Sequence, residues 1–285
     1  MAKNTNTTRH FVRLIVILIG IILFALLIFA LKPVQRTEAY TQIKDSALVL
    51  LTREPNESWL NLVQTLAQNY DVYVIIDNND SDLSTYKSNY ADIRFLQIDD
   101  AECANAGYKN SSTVLIKKTP IAWDKALYYF CSSSNNYSKV WFVEDDVYIP
   151  SKTAITEIDA KYPDTDLICN KSNYNDTGTL EGWMWWKEAD KYFALPWSGG
   201  LQCICRMSAP LLRRIDEFVK AKQSLVFIEV LFPTLAQQNG LTIANPPEFA
   251  NVDCCEKWDF DKIDPAKICH PVKQTKDQDR IRQKL

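Results

Sequence analysis

A largely parallel α/β sheet covered by helices on both faces, set behind one apolar N-terminal segment, is the architecture this sequence predicts. Three observations carry the expectation. Short β-branched apolar runs alternate with amphipathic helical segments from residue 47 onward. The runs lack the polar alternation of a half-exposed strand, the mark of strands buried on both faces. Residues 14–31 read LIVILIGIILFALLIFAL, eighteen consecutive apolar positions. At about 1.5 Å per residue such a helix is about 27 Å long, close to a hydrocarbon core about 30 Å thick.

Each element follows from its residues. The leader, 1–13, carries Lys3, Arg9 and Arg13 and no acid, so the positive-inside bias puts it in the cytosol and everything past the span in a lumen or outside. The apolar run exceeds the about 7–15 residues of a cleaved signal peptide, which favours a retained transmembrane anchor. A polar stem, 32–46, leads to the first buried strand, Ala47 to Thr52, stopped by Arg53-Glu54-Pro55. Asn56 or Ser58 caps a helix over 59–68 with Trp59, Leu62, Val63 and Leu66 on one face, and DVYVII at 71–76 completes a βαβ unit. Further strands are expected at 93–98 and 139–143, with a helix at 121–131 carrying Trp123, Leu127 and Phe130 between them. A short strand at 166–169 precedes a polar loop over 170–180. Ser208-Ala209-Pro210 opens a helix through Lys220, and 225–238 is another apolar, helical segment. The domain is expected to span 47–273, followed by a frayed charged tail, 274–285.

Composition narrows the function classes. With 47% hydrophobic and 24% charged residues the chain can bury a core. Its net charge is −3, and more negative once the leader is set aside, which argues against a generic nucleic-acid binder. All eight cysteines follow the span, suited to disulfides in an oxidising compartment, although eight allow too many connectivities for the pairing to be read. Acceptor triplets for N-glycosylation begin at Asn56, Asn79, Asn110, Asn136, Asn170 and Asn175. Only two histidines occur, and His10 lies in the leader, so multi-histidine zinc hydrolases are disfavoured.

The strongest chemical signal is Val140-Trp141-Phe142-Val143-Glu144-Asp145-Asp146-Val147-Tyr148, an apolar strand that runs into three carboxylates. Like charges raise one another's pKa unless a cation neutralises them, and carboxylate oxygens suit a hard divalent ion such as Mn²⁺ or Mg²⁺. In extended backbone Glu144 and Asp146 point to one side and Asp145 to the other. A solvated acidic turn is the plainer alternative.

The segment WFVEDDVYIP resembles the DxD-type motif of GT-A glycosyltransferases, particularly inverting, N-acetylglucosaminyltransferase-like Golgi enzymes. That resemblance implies a Rossmann-like GT-A domain whose fourth strand leads into the motif. It implies Asp146 as the direct metal ligand, with Glu144 and Asp145 on metal-bound water or the donor's ribose and sugar. A late histidine often returns to the metal in such enzymes, which singles out His270, with Lys273 facing a phosphate. A general base is needed for inversion, and Glu229, the only acid in VFIEVLFP, is similar in position to the base-bearing segment of the family. Four tryptophans and three of the seven glycines fall between Gly182 and Gly200. Trp197, Gly199 and Gly200 match a glycine loop lining the donor and acceptor pocket, where aromatic faces stack on sugars.

The resulting expectation is a type II, metal-dependent glycosyltransferase of the Golgi or ER lumen, hexosyl- or N-acetylhexosaminyl-type, moving sugar from a nucleotide donor, a UDP-sugar, to a hydroxyl of a glycan or glycoprotein. The rival reading is a membrane-tethered carbohydrate-binding protein without transfer.

Overall fold

The computed structural model describes residues 44–112, 119–132, 136–254 and 258–285. The anchor expected over 14–31, its leader and nearly all of the stem lie outside them. Among the described residues no helix is long and apolar enough to cross a membrane.

The chain forms β1 (Ser46–Thr52), α1 (Glu57–Leu66), β2 (Asp71–Ile76), α2 (Ser84–Asn89), β3 (Ile93–Gln97), α3 (Asp100–Asn105), α4 (Ala122–Ser132) and β4 (Lys139–Glu144). It continues through α5 (Ala154–Lys161), β5 (Leu167–Asn175), α6 (Trp186–Tyr192), β6 (Trp197–Ser208), α7 (Ala209–Lys222) and α8 (Ile228–Gln238). Last come β7 (Ile243–Ala244), β8 (Asn251–Val252), β9 (Cys269–His270) and α9 (Thr275–Arg282).

Seven strands make one mixed sheet in the order β3-β2-β1-β4-β6-β5-β7. The pairs among β3, β2, β1 and β4 are parallel, whereas β6 runs antiparallel to both β4 and β5. The strand order reverses direction between β1 and β4, the crevice where sheets of this kind bind ligands at the carboxyl ends of their strands.

Burial explains why the central strands read as unbroken apolar runs. Along β1, Ala47, Val49 and Leu51 enter a cluster with α4, α7 and α8, while Leu48 and Leu50 enter a second cluster with α1 and α5. Both faces of the sheet are covered. The Asn56 side chain caps α1 by accepting from the Trp59 amide at 3.0 Å, and Ser208 caps α7. Between β4, β6 and α5 the fully buried Arg206 pairs with Asp159, which also accepts from the Trp141 indole and the Tyr70 hydroxyl.

Four expectations are corrected. Residues 170–175 extend β5 rather than forming a loop, because the segment pairs with β6 through two register shifts. Trp197 to Gly200 also lie in a strand. The 274–285 tail is mostly the docked helix α9, with Gln278 and Ile281 buried and Asp279 accepting from the Ser58 hydroxyl at 2.7 Å. The disulfide framework is not supported: Cys103, Cys131, Cys203, Cys205 and Cys269 carry free thiols. Those of Cys103, Cys203, Cys205 and Cys269 are buried as small apolar groups within the packed clusters.

Candidate active site

The acidic turn emerges at the strand-order reversal because β4 is central and apolar from Val140 to Val143. β4 ends at Glu144 and residues 145–146 form a turn closed by the Val147 amide donating to the Glu144 carbonyl at 3.1 Å, and Asp145 meets partners different from those of its two neighbours. Its carboxylate accepts from the Thr52 hydroxyl at the end of β1 (2.5 Å). Its carbonyl accepts from the Trp59 indole (2.5 Å) and the Gln278 amide (3.0 Å). The Gln278 amide also donates to the Val272 carbonyl at 3.0 Å, so α9 clasps the turn.

On the other side Glu144 and Asp146 meet His270. The histidine arrives because residues 269–272 run back along 146–148: the Tyr148 amide donates to the Cys269 carbonyl at 2.8 Å and the Val272 amide to the Asp146 carbonyl at 2.7 Å. Nε2 of His270 then lies 3.2 Å from Asp146 Oδ1 and 3.8 Å from Glu144 Oε2. One ligand atom from each of the three residues falls within 4.8 Å of the others.

The protonation of this cluster can be followed atom by atom. Nδ1 of His270 is 2.5 Å from the Asp253 carbonyl, which only accepts, so Nδ1 carries a proton. A neutral ring therefore presents the Nε2 lone pair to two carboxylates, and Asp146 Oδ1 is left buried without a donor. Burial pulls the His270 pKa down, but Asp146, Asp253 and Glu144 more than offset it and the net shift is upward. Burial likewise raises Glu144, helped by Asp146 and opposed by the Trp123 indole, which donates to it at 2.6 Å. Burial raises Asp145 as well, against the Thr52 hydrogen bond. Two carboxylates and an imidazole whose other nitrogen is fixed by a backbone carbonyl form a site that a divalent cation fits.

A cleft of about 200 Å³ is lined by Glu144, His270 and Glu229. Glu229 sits in the first turn of α8, whose Thr234 hydroxyl donates to the Ser198 carbonyl (2.8 Å) and accepts from its amide (3.0 Å), tying the helix to β6. Burial, with a smaller contribution from Glu144 opposed by His270, pushes Glu229 up to about 7. A carboxylate with that pKa is suited to general-base work near neutral pH. The buried ammonium of Lys125 holds the loop after β2 through the Asp77 carbonyl (2.7 Å) and Asn79 (3.0 Å), and pairs with Asp100 (2.8 Å).

The structure thus brings Glu144, His270 and Glu229 to one cleft, with Asp146 against His270. Asp145 supports the turn from behind. Trp197 is buried in the core, its indole donating to the Phe193 carbonyl at 3.0 Å, and it does not line the cleft. Gly199 makes room for a neighbour rather than for a ligand: a Cβ there would stand 2.2 Å from the Trp183 ring. The carbonyl of Gly200 accepts from the Gln202 side chain. Lys273 is exposed, next to the segment that bridges to Asp146. Trp123, Gln202, Cys203 and Gln278 belong to the site or its support, yet periodicity marks Trp123 only as a buried helical position, and the other three carry no local signal.

No family model matches the chain, and no curated protein matches it. Among solved structures it is similar to the galactosyltransferase LgtC in complex with donor and acceptor sugar analogues (11% identity, 84% of this chain and 96% of that chain, TM-score 0.44). Mouse xyloside xylosyltransferase 1 in its apo form is similar at 10% identity, 79% of this chain, 97% of that one and TM-score 0.44. So is 4-diphosphocytidyl-2C-methyl-D-erythritol synthase from Anaerococcus prevotii, at 9%, 75%, 92% and 0.42. Likenesses this weak assign neither family nor reaction.

Proposed function

We propose that this protein is a divalent-metal-dependent glycosyltransferase of the GT-A type that moves sugar from a UDP-sugar to a hydroxyl of a glycan or glycoprotein with inversion. One observation carries the reading: Glu144, Asp146 and His270 converge at the strand-order reversal, and two of them, Glu144 and His270, line a cleft together with a buried carboxylate, Glu229. Glu144, Asp146 and His270 would hold Mn²⁺ or Mg²⁺, and the ion would supply charge stabilisation for a departing diphosphate. Glu229 removes the proton of the acceptor hydroxyl as that oxygen bonds to the anomeric carbon. The bond from the anomeric carbon to the diphosphate oxygen breaks and its electron pair leaves with UDP. Burial keeps Glu229 basic enough for this step, and Trp123, Ile121 and Phe227 give the cleft apolar walls beside it.

Membrane anchoring through 14–31, with the domain in the Golgi or ER lumen, is part of the same proposal, and protease protection of the domain in sealed microsomes tests it. The activity is tested by UDP release from a panel of UDP-sugars with Mn²⁺ and glycan acceptors. Turnover is expected with the wild type and lost with EDTA and in Asp146→Ala. Turnover indifferent to both removes the mechanism, and donor binding without turnover leaves a carbohydrate-binding protein.

A further inference from the structure

Gln202 lines the cleft from β6, next to Cys203, and is 1% exposed. Its amide orientation is fixed by chemistry. Nε2 donates to the Gly200 carbonyl at 3.0 Å, and a carbonyl cannot accept from the oxygen end of the amide, so the atom left over is Oε1. That oxygen is buried and has no donor among the described residues. A buried amide oxygen without a partner is costly, and in a native protein a ligand, an ion or a water completes it.

The missing partner must be a donor. The ionisable oxygens that share the cleft, on Glu144 and Glu229, are acceptors, so an anionic or acceptor-only guest would add repulsion rather than satisfy Gln202. A hydroxyl meets the need. The cleft is lined both by the cation ligands Glu144 and His270, beside which a donor's diphosphate would be held, and by Glu229, beside which the acceptor would arrive. The group between them is the donor's own sugar ring.

We infer that Gln202 is a specificity-determining residue whose Oε1 accepts a hydrogen bond from one ring hydroxyl of the donor sugar. The inference rests on the glycosyltransferase reading and deepens it. A site built around such a bond rejects the analogue lacking the hydroxyl far more strongly than a missing methylene would be rejected, because the buried oxygen is then left unpaired.

The test is calorimetric and independent of turnover. Wild-type protein with Mn²⁺ is titrated with UDP, UDP-glucose, UDP-galactose and the monodeoxy analogues of whichever sugar nucleotide binds tighter. One deoxy position is expected to weaken wild-type binding by at least about tenfold. In Gln202→Met, which keeps the length and removes the acceptor, that discrimination falls to within about twofold while UDP itself binds as before. Gln202→Asn, which retracts the oxygen by one methylene, serves as the second variant should Gln202→Met fail to fold, and is expected to lose the same discrimination. Retained discrimination in the folded variant, or a wild type that treats every deoxy analogue like its parent, overturns the inference alone. A wild type that binds no UDP with Mn²⁺ overturns the donor reading and this inference with it.

Discussion

Glu229 links activity and stability to pH with opposite signs. Its folded pKa of about 7 stands above the ordinary 4.5. As the base it must be ionised, so activity is expected to be half-maximal near pH 7, about one tenth of maximal at pH 6 and about one hundredth at pH 5. For stability, a carboxyl whose pKa is raised by folding binds its proton more tightly in the folded state. It therefore imposes no penalty below pH 4.5, an increasing one between 4.5 and 7, and the full one above. Removing the charge with Glu229→Gln should relieve a penalty of about 3 kcal/mol at pH 8, shrinking to about 1.4 kcal/mol at pH 5.5. For a domain of this size that corresponds to a melting temperature higher by about 6–12 °C at pH 8. Calorimetric melts at the two pH values, paired with initial rates of UDP release, measure both effects. A variant that loses activity yet melts at the wild-type temperature at pH 8 would refute the claim that burial tunes this group. Since the bound ion that turnover requires offsets the field of Glu144, the rate midpoint is expected at or somewhat below about pH 7.

Three further outcomes are expected. Gln278→Leu removes the two hydrogen bonds that clasp the acidic turn and should weaken Mn²⁺ binding about tenfold, read by electron paramagnetic resonance, with unchanged circular dichroism. Gly199→Ala forces the Trp183 ring aside and should cost about 2–3 kcal/mol in urea unfolding, with a shifted tryptophan emission maximum. Asp159→Asn leaves the Arg206 guanidinium buried without its counter-charge and should cost about 3 kcal/mol, whereas the double change Asp159→Asn with Arg206→Met should recover much of the loss.

The strands β1, β2 and β4 and the helices α1, α4 and α7 were legible because burial on one or both faces dictates their residues directly. The acidic turn was legible for the converse reason, since three carboxylates after an apolar strand demand an explanation. What stayed hidden depended on distant partners. Nothing near His270 says that residues 269–272 will lie along 146–148, because that contact is made by backbone groups every residue possesses. The polar stretch 170–175 lacks an apolar pattern and is a strand only because β6 offers its edge. Two adjacent glycines suggest a loop, yet Gly199 sits in a strand to admit an indole ring. The charged tail hides a narrow buried stripe, Gln278 and Ile281, too short to register as amphipathic.

The closure of 269–272 upon 146–148 makes cation affinity a strict measure of correctly assembled material. Helices draw on near neighbours in sequence, whereas the ion's ligands come from segments that meet only when distant parts of the chain have found each other. A preparation with native-looking ellipticity but an unmade join would score zero in a manganese titration. The stoichiometry of bound manganese, more than spectroscopy of the backbone, therefore counts competent molecules.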